Sequence, residues 1–200
     1  MWPLLLSVQL LELLWILFTY LGIEHVRTDR LGLHLDFLPY SHSVFTAAFL
    51  GAIVWGMGKA AQRRYVGTAL AFGIISHLLL DVVHHEPDIA LLPLAWGPRF
   101  GLGLMNYPIA DFIVELAFCA ACWKYFGGSR QLLVGIMLFN LLNVPLMFAS
   151  PSAASAIAAN QFLLPTIILA QLLASWLLVW WLSRGTILSD EQNKPVAIVG

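Results

Sequence analysis

Six apolar segments, each near the roughly 20 residues that cross a bilayer as a helix, restrict this chain to a narrow choice of folds. They cover approximately residues 2–23, 41–58, 66–83, 107–126, 131–149 and 161–183. Because only 10% of the residues are charged, against about 25% in soluble domains, these segments are expected to lie in lipid. The sequence therefore predicts an all-α polytopic membrane bundle of about six transmembrane helices. This single domain spans 1–188, and a polar tail over 189–200 is expected to be disordered.

The Lys and Arg residues indicate how the bundle is oriented. Seven of the ten lie in the loops after the second and fourth segments or near the C-terminus. Because basic residues concentrate on the cytoplasmic side of membrane proteins, both termini are predicted to be cytoplasmic. The histidines then all fall on the outer side or in the outer half of a segment, at positions 25, 34, 42, 77, 84 and 85. This one-sided distribution indicates a single site that faces outward.

A polar stripe crosses the end of the third segment. His77, Asp81, His84 and Asp88 follow a spacing of four, three and four, which places them on one face of a helix. Imidazoles and carboxylates on one face are typical of a metal site, and imidazole favours Zn²⁺, with Mn²⁺ or Mg²⁺ as alternatives. The predicted metal ligands are His42 at the start of the second segment, His77, Asp81, either His84 or His85, and Asp88.

Acidic residues on other segments are expected to face the same interior pocket. A carboxylate at bilayer depth costs about 2.5 kcal/mol or more unless it is paired or bound to a cation. Asp111 and Glu115 share one face of the fourth segment, and Glu12, near the middle of the first segment, is expected to lie at the bottom of this pocket. The predicted catalytic residues are Glu115 or Asp36 as general base and Arg99 as an anion-binding group, with Arg27 as the alternative for that group. The other predicted pocket residues are Glu12, Glu24, His25, Arg27, Asn106 and Asp111.

Each of these motifs also has a purely structural interpretation. Ser41 or Ser43 can cap a helix, and His77 with Asp81 can form a hydrogen-bonded pair between helices. Asp111 and Glu115 can bond neighbouring polar groups. The Cys-x-x-Cys spacing within the fourth segment is expected to reflect helix packing, because a free cysteine behaves as a small apolar residue.

Two of these motifs resemble those of a known family. Tyr-Ser-His-Ser at 40–43, followed by Ser-His-x-x-x-Asp at 76–81, is similar to the bacterial inner-membrane family of membrane-bound metal-dependent hydrolases, which includes a LexA-regulated member. A subgroup of small membrane proteins is closer and matches over about 10–116. The resemblance implies a metal-site core of His42, His77 and Asp81. The neighbours it implies are Glu24, His25, Asp36, His85, Asp88 and Glu115.

The sequence thus predicts a metal-dependent hydrolase of the bacterial inner membrane, with its site on the periplasmic side. A lipid, or a lipid-linked ester or phosphoester, suits a site at that depth. Two alternatives stay open: a metal-ion or proton-coupled transporter, and an assembly protein whose polar cluster only joins helices. A net charge of −1 gives no indication of nucleic-acid binding.

Overall fold

The computed structural model describes residues 2–29, 32–94, 96–148 and 150–192, and it is mostly helical. The helices are α1 (Trp2–Val8), α2 (Leu10–Tyr20), α3 (Val44–Ala60), α4 (Arg64–His84), α5 (Pro108–Tyr125), α6 (Arg130–Met147), α7 (Pro151–Ala159) and α8 (Leu163–Gln192). Two short antiparallel pairs join β1 (His25–Asp29) to β2 (Gly32–Phe37) and β3 (Ile89–Ala90) to β4 (Arg99–Phe100). Every predicted apolar segment is helical, whereas the strands and α7 were not predicted.

The first predicted segment is not one continuous helix. It divides at Gln9 into α1 and α2, which meet at 61°. At the other end of the chain α8 continues to Gln192, four residues into the predicted tail, and 193–200 lie outside the described residues.

Fewer helices qualify as membrane spans than the six predicted. Within the described ranges, α4 and the part of α8 over Leu163–Leu182 are long and apolar enough to cross a bilayer, and the bent pair α1–α2 adds a third if it counts as one span. α3 is shorter, as is the apolar part of α6 over Arg130–Leu142. α5 carries Asp111, Glu115 and Lys124 in its 18 residues. Membrane association is therefore supported by two to three helices, and the six-span topology with its orientation stays a prediction.

The central element is α4, which contacts α1, α2 and α3. Glycines permit this close approach. A Cβ added at Gly58 on α3 would lie 2.5 Å from the Cα of Gly67 on α4, and one added at Gly73 would lie 2.6 Å from Ser7 Oγ on α1. The buried apolar side chains around this contact are Leu11, Ala47, Ile74, Leu78 and Ile89. This core fixes the height and rotation of α4 relative to its neighbours.

Substituting Gly58 tests whether the contact between α3 and α4 stabilises the fold. Gly58→Ala should lower the free energy of unfolding by about 1–3 kcal/mol, because the added methyl group meets the backbone of Gly67. Gly56→Ala is the matched control on the same helix, since no described atom lies within 4 Å of its added Cβ. Thermal unfolding in detergent measures both. Equal midpoints for the two variants would contradict this account of the core.

Candidate metal centre

Four ligand-type side chains from separate parts of the chain meet beside α4. They are Glu12 on α2, His42 just before α3, and His77 and Asp81 one turn apart on α4. We call these four residues the primary site. Asp81 Oδ2 lies 3.3 Å from His77 Nε2 and 3.7 Å from His42 Nε2. Glu12 Oε1 lies 3.9 Å from His42 Nε2 and 4.0 Å from His77 Nε2.

These distances fit a divalent cation. Ligands held tetrahedrally at 2.0–2.1 Å from Zn²⁺ are about 3.3 Å apart, and the four separations in the primary site run from that value, between Asp81 and His77, up to 4.0 Å. Ligand atoms of Glu12, His42 and His77 all lie within 4.8 Å of one another, and Asp81 joins the two histidines. His77 Nε2 and Asp81 Oδ2 are buried without a hydrogen-bond partner among the described residues. Since buried polar atoms are normally paired, a bound cation explains both.

A hydrogen-bonded chain behind His42 orients its ring. The buried Glu24 accepts backbone N–H groups from Tyr40 (2.8 Å) and Ser41 (2.9 Å) on Oε1. Ser41 Oγ donates to Glu24 Oε2 at 2.7 Å and lies 2.8 Å from His42 Nδ1. When Glu24 is ionised it takes the one proton of this hydroxyl, so a neutral His42 donates from Nδ1 to Ser41. His42 Nε2 is then unprotonated and directs its lone pair into the primary site, as a metal ligand requires.

The local backbone explains how His42 reaches this position. Ser43 is the N-cap of α3, and its Oγ accepts the N–H of Thr46 at 3.1 Å. Capping by Ser43 fixes where the helix begins and leaves His42 directly before it. Burial raises the pKa of the Glu24 carboxyl, and the hydrogen bonds from Ser41 and Tyr40 offset only part of this rise. The helix-cap and metal-site interpretations of 41–43 are therefore compatible, because they use different residues.

His85 and Asp88 lie beside the primary site and contact each other. His85 Nδ1 is 3.4 Å from Asp88 Oδ2, both residues are buried, and the His85 ring stacks on that of His42 at 6.4 Å between centroids. Burial lowers the pKa of His85. The hydrogen bond and charge of Asp88, with the charges of Asp81 and Glu12, raise it more, so the net shift is upward. The three nearby carboxylates thus favour the protonated form of His85.

The neighbouring histidine takes part in a different group. His84 Nδ1 lies 3.0 Å from Asp111 Oδ1, and ligand atoms of His84, Asp111 and Glu115 are all within 4.8 Å of one another. The rings of His84 and His85 meet edge to face at 5.5 Å. The predicted stripe therefore divides at the end of α4, and Glu115, predicted as general base, lies with His84.

A glycine-containing loop holds this end of α4. Leu102 N–H donates to the Val82 carbonyl at 2.8 Å, and Gly103 N–H donates to the His85 carbonyl at 2.7 Å. A Cβ at Gly101 would collide with the carbonyl of Glu86, so only glycine permits this approach. Glycine spacing in the sequence does not reveal which carbonyls this loop reaches.

The remaining predicted residues are more dispersed. Arg99 is exposed on β4, and Asn106 Nδ2 donates to Glu86 Oε1 at 2.7 Å. His25 begins β1 and is half-buried. The side chains of Arg27 and Asp36 lie outside the described residues. Of the three predicted catalytic residues, the described contacts bring none into the primary site.

No known family model, curated protein or solved structure matches this chain. The resemblance to membrane-bound metal-dependent hydrolases therefore stays a prediction from short motifs. The support for a metal centre comes from the distances between its side chains and from their burial.

The primary site predicts which side chains retain a metal ion. Wild-type protein purified in detergent should hold about one Zn²⁺ per chain, and His77→Ala or Asp81→Ala should lose it because each removes a ligand atom. Elemental mass spectrometry measures the content. Glu86→Gln, which changes an acid outside both groups and can keep the hydrogen bond from Asn106, should match wild type. Equal zinc in all four proteins would contradict the site.

The hydrogen-bonded chain behind His42 predicts different effects for the two serines that flank this histidine. Ser41→Ala should weaken Zn²⁺ binding about 10–100-fold, because it removes the acceptor that fixes the His42 tautomer. Ser43→Ala should instead lower stability by about 1 kcal/mol through loss of the helix cap, with little effect on affinity. Competitive titration with a zinc chelator, alongside thermal unfolding, measures both. Ser41→Thr, which keeps the hydroxyl, should restore binding; equal affinities in all variants would refute this role for Ser41.

Proposed function

We propose that this protein is a membrane-bound metal-dependent hydrolase that acts at the primary site. One observation carries the proposal: each of two carboxylate oxygens lies 3.3–4.0 Å from both of two imidazole nitrogens, and two of these four atoms are buried without a hydrogen-bond partner among the described residues. A purely structural cluster would be expected to satisfy those atoms with hydrogen bonds. Ligand sets of two histidines and one carboxylate, with a fourth position open, are those of hydrolytic zinc centres.

The geometry supports different roles for the two carboxylates. Asp81 lies closer to both imidazole nitrogens than Glu12 does, and its side chain is 14% exposed against 24% for Glu12. We therefore assign His42, His77 and Asp81 as the three protein ligands. Glu12, which lies 3.9 Å from His42 Nε2 and 4.0 Å from His77 Nε2, would accept a proton from the attacking water. When bound, the cation lowers the pKa of water towards about 7 and polarises the scissile bond.

The position of the site supports a lipid or lipid-linked substrate. Glu12 lies in the bent pair α1–α2, and His77 and Asp81 lie in the last two turns of α4, one of the helices long enough to span a bilayer. An ester or phosphoester at the base of a headgroup can reach this level without leaving the membrane. The proposal includes six transmembrane helices, both termini in the cytoplasm, and a periplasmic site in a bacterial inner membrane, as the distribution of basic residues favours.

The proposed role of Glu12 gives a direct test of hydrolysis. Metal-loaded wild type should cleave a member of a panel of lipid esters and phosphoesters, and chelation with EDTA should abolish turnover until Zn²⁺ is restored. Glu12→Gln should lower kcat by about 10²–10⁴-fold, because it removes the general base, while retaining zinc. His77→Ala should lose both zinc and activity.

The controls separate chemistry from folding. Glu86→Gln should keep full activity, since glutamine can keep the hydrogen bond from Asn106, and thermal unfolding should show Glu12→Gln to be folded. Undiminished turnover in Glu12→Gln would exclude the assigned base. If zinc-replete wild type hydrolyses no member of the panel, the hydrolase proposal fails, and Zn²⁺ flux into liposomes without turnover would favour a transporter.

A further inference from the structure

A second group of ligand-type side chains lies next to the primary site and has no role in the proposed hydrolysis. His84 is the last residue of α4, Asp111 lies in the first turn of α5, and Glu115 follows one turn later. The α4 end is held by the loop over 101–103, and α5 begins at Pro108, so the chain itself brings the two helix ends together. We call these three residues the secondary site.

The charges of the secondary site favour a cation. The Asp111 side chain is only 3% exposed, and Glu115 is half-buried one turn below it on the same face of α5. The positive end of the α5 dipole stabilises an acid in the first turn, which includes Asp111 but not Glu115. A neutral His84 would leave two carboxylates in close proximity, and like charges at i, i+4 repel each other. A divalent cation at their centre removes that repulsion.

We propose that His84, Asp111 and Glu115 bind a second divalent cation of a harder class than the primary site prefers. Octahedral ligands at 2.0–2.1 Å are about 2.9 Å apart, close to the 3.0 Å between His84 Nδ1 and Asp111 Oδ1. One nitrogen and two carboxylate oxygens suit Mn²⁺ or Mg²⁺, whereas two imidazoles suit Zn²⁺. The His84 side chain is 37% exposed, which leaves water access to the remaining coordination positions.

Without a cation, the contact between His84 and Asp111 is a hydrogen bond. Binding requires the His84 proton to reside on Nε2, so that Nδ1 offers its lone pair. The two sites are separate but adjacent, because the His85 ring lies between them, stacked on His42 and edge-on to His84. The secondary site does not depend on hydrolysis at the primary one, and either can exist without the other.

Mn²⁺ titration followed by electron paramagnetic resonance tests the proposal on the full chain in detergent, after the primary site is filled with Zn²⁺. Wild type should bind about one further Mn²⁺ per chain. Glu115→Gln and His84→Ala should each weaken that binding more than about tenfold, since even the loss of an outer-shell partner costs as much. His77→Ala should keep Mn²⁺ binding at the secondary site while losing zinc from the primary one.

Glu86→Gln is the matched control, because Glu86 is an acid at the same end of α4 whose oxygen accepts from Asn106, and glutamine can keep that bond. It should bind Mn²⁺ as wild type does. Zinc content, measured in the same samples, should fall only in His77→Ala, so failure of one site is distinguishable from failure of the other. Absence of Mn²⁺ binding in wild type, or binding that Glu115→Gln and His84→Ala leave unchanged, would overturn the proposal.

Discussion

The close approach of α4 to its neighbours is the constraint on which the candidate centre depends. Gly58 and Gly67 allow the α3 and α4 backbones to meet, and Gly73 allows Ser7 of α1 to approach. Ligand atoms on different helices converge only if those helices are fixed within a fraction of an ångström, and side chains larger than glycine would separate them. The packing of α4 against α1 and α3 therefore produces both the apolar contacts of this helix and, a few turns along it, the meeting of polar side chains at His77 and Asp81.

Buried charge explains why the polar side chains are grouped as they are. Carboxylates removed from water need a compensating charge, since an unpaired charge in a low-dielectric interior is strongly disfavoured. Asp88 contacts the imidazole of His85, and Glu24 accepts three hydrogen bonds from Tyr40 and Ser41. Asp81 and Glu12 contact imidazoles whose facing nitrogens are suited to share a cation. Asp88 and Glu24 are thus compensated by protein groups alone, whereas the contacts of Asp81 and Glu12 leave room for a metal ion.

Much of this could be predicted from the sequence because periodicity is a local property. The apolar runs located the helices, and the spacing of His77 and Asp81 placed both on one face of α4. How the helices are placed relative to one another is not a local property. The bend at Gln9, which accompanies the approach of Glu12, has no strong signature, since glutamine is an ordinary helix residue. Nor could spacing show that His84 and His85 belong to different groups, because this depends on how α5 is placed beside α4.

The loop over 101–103 connects these observations. By donating to the carbonyls of Val82 and His85, it satisfies groups that the end of α4 would otherwise expose, and it fixes the last turn of that helix. That turn carries Asp81 towards one group and His84 towards the other. The loop therefore lies at the helix end from which both the primary and the secondary site take a ligand, although the two sites share no side chain. Glycine is required at 101 because a Cβ there would collide with the carbonyl of Glu86, and this glycine allows the loop to reach the helix end that both sites use.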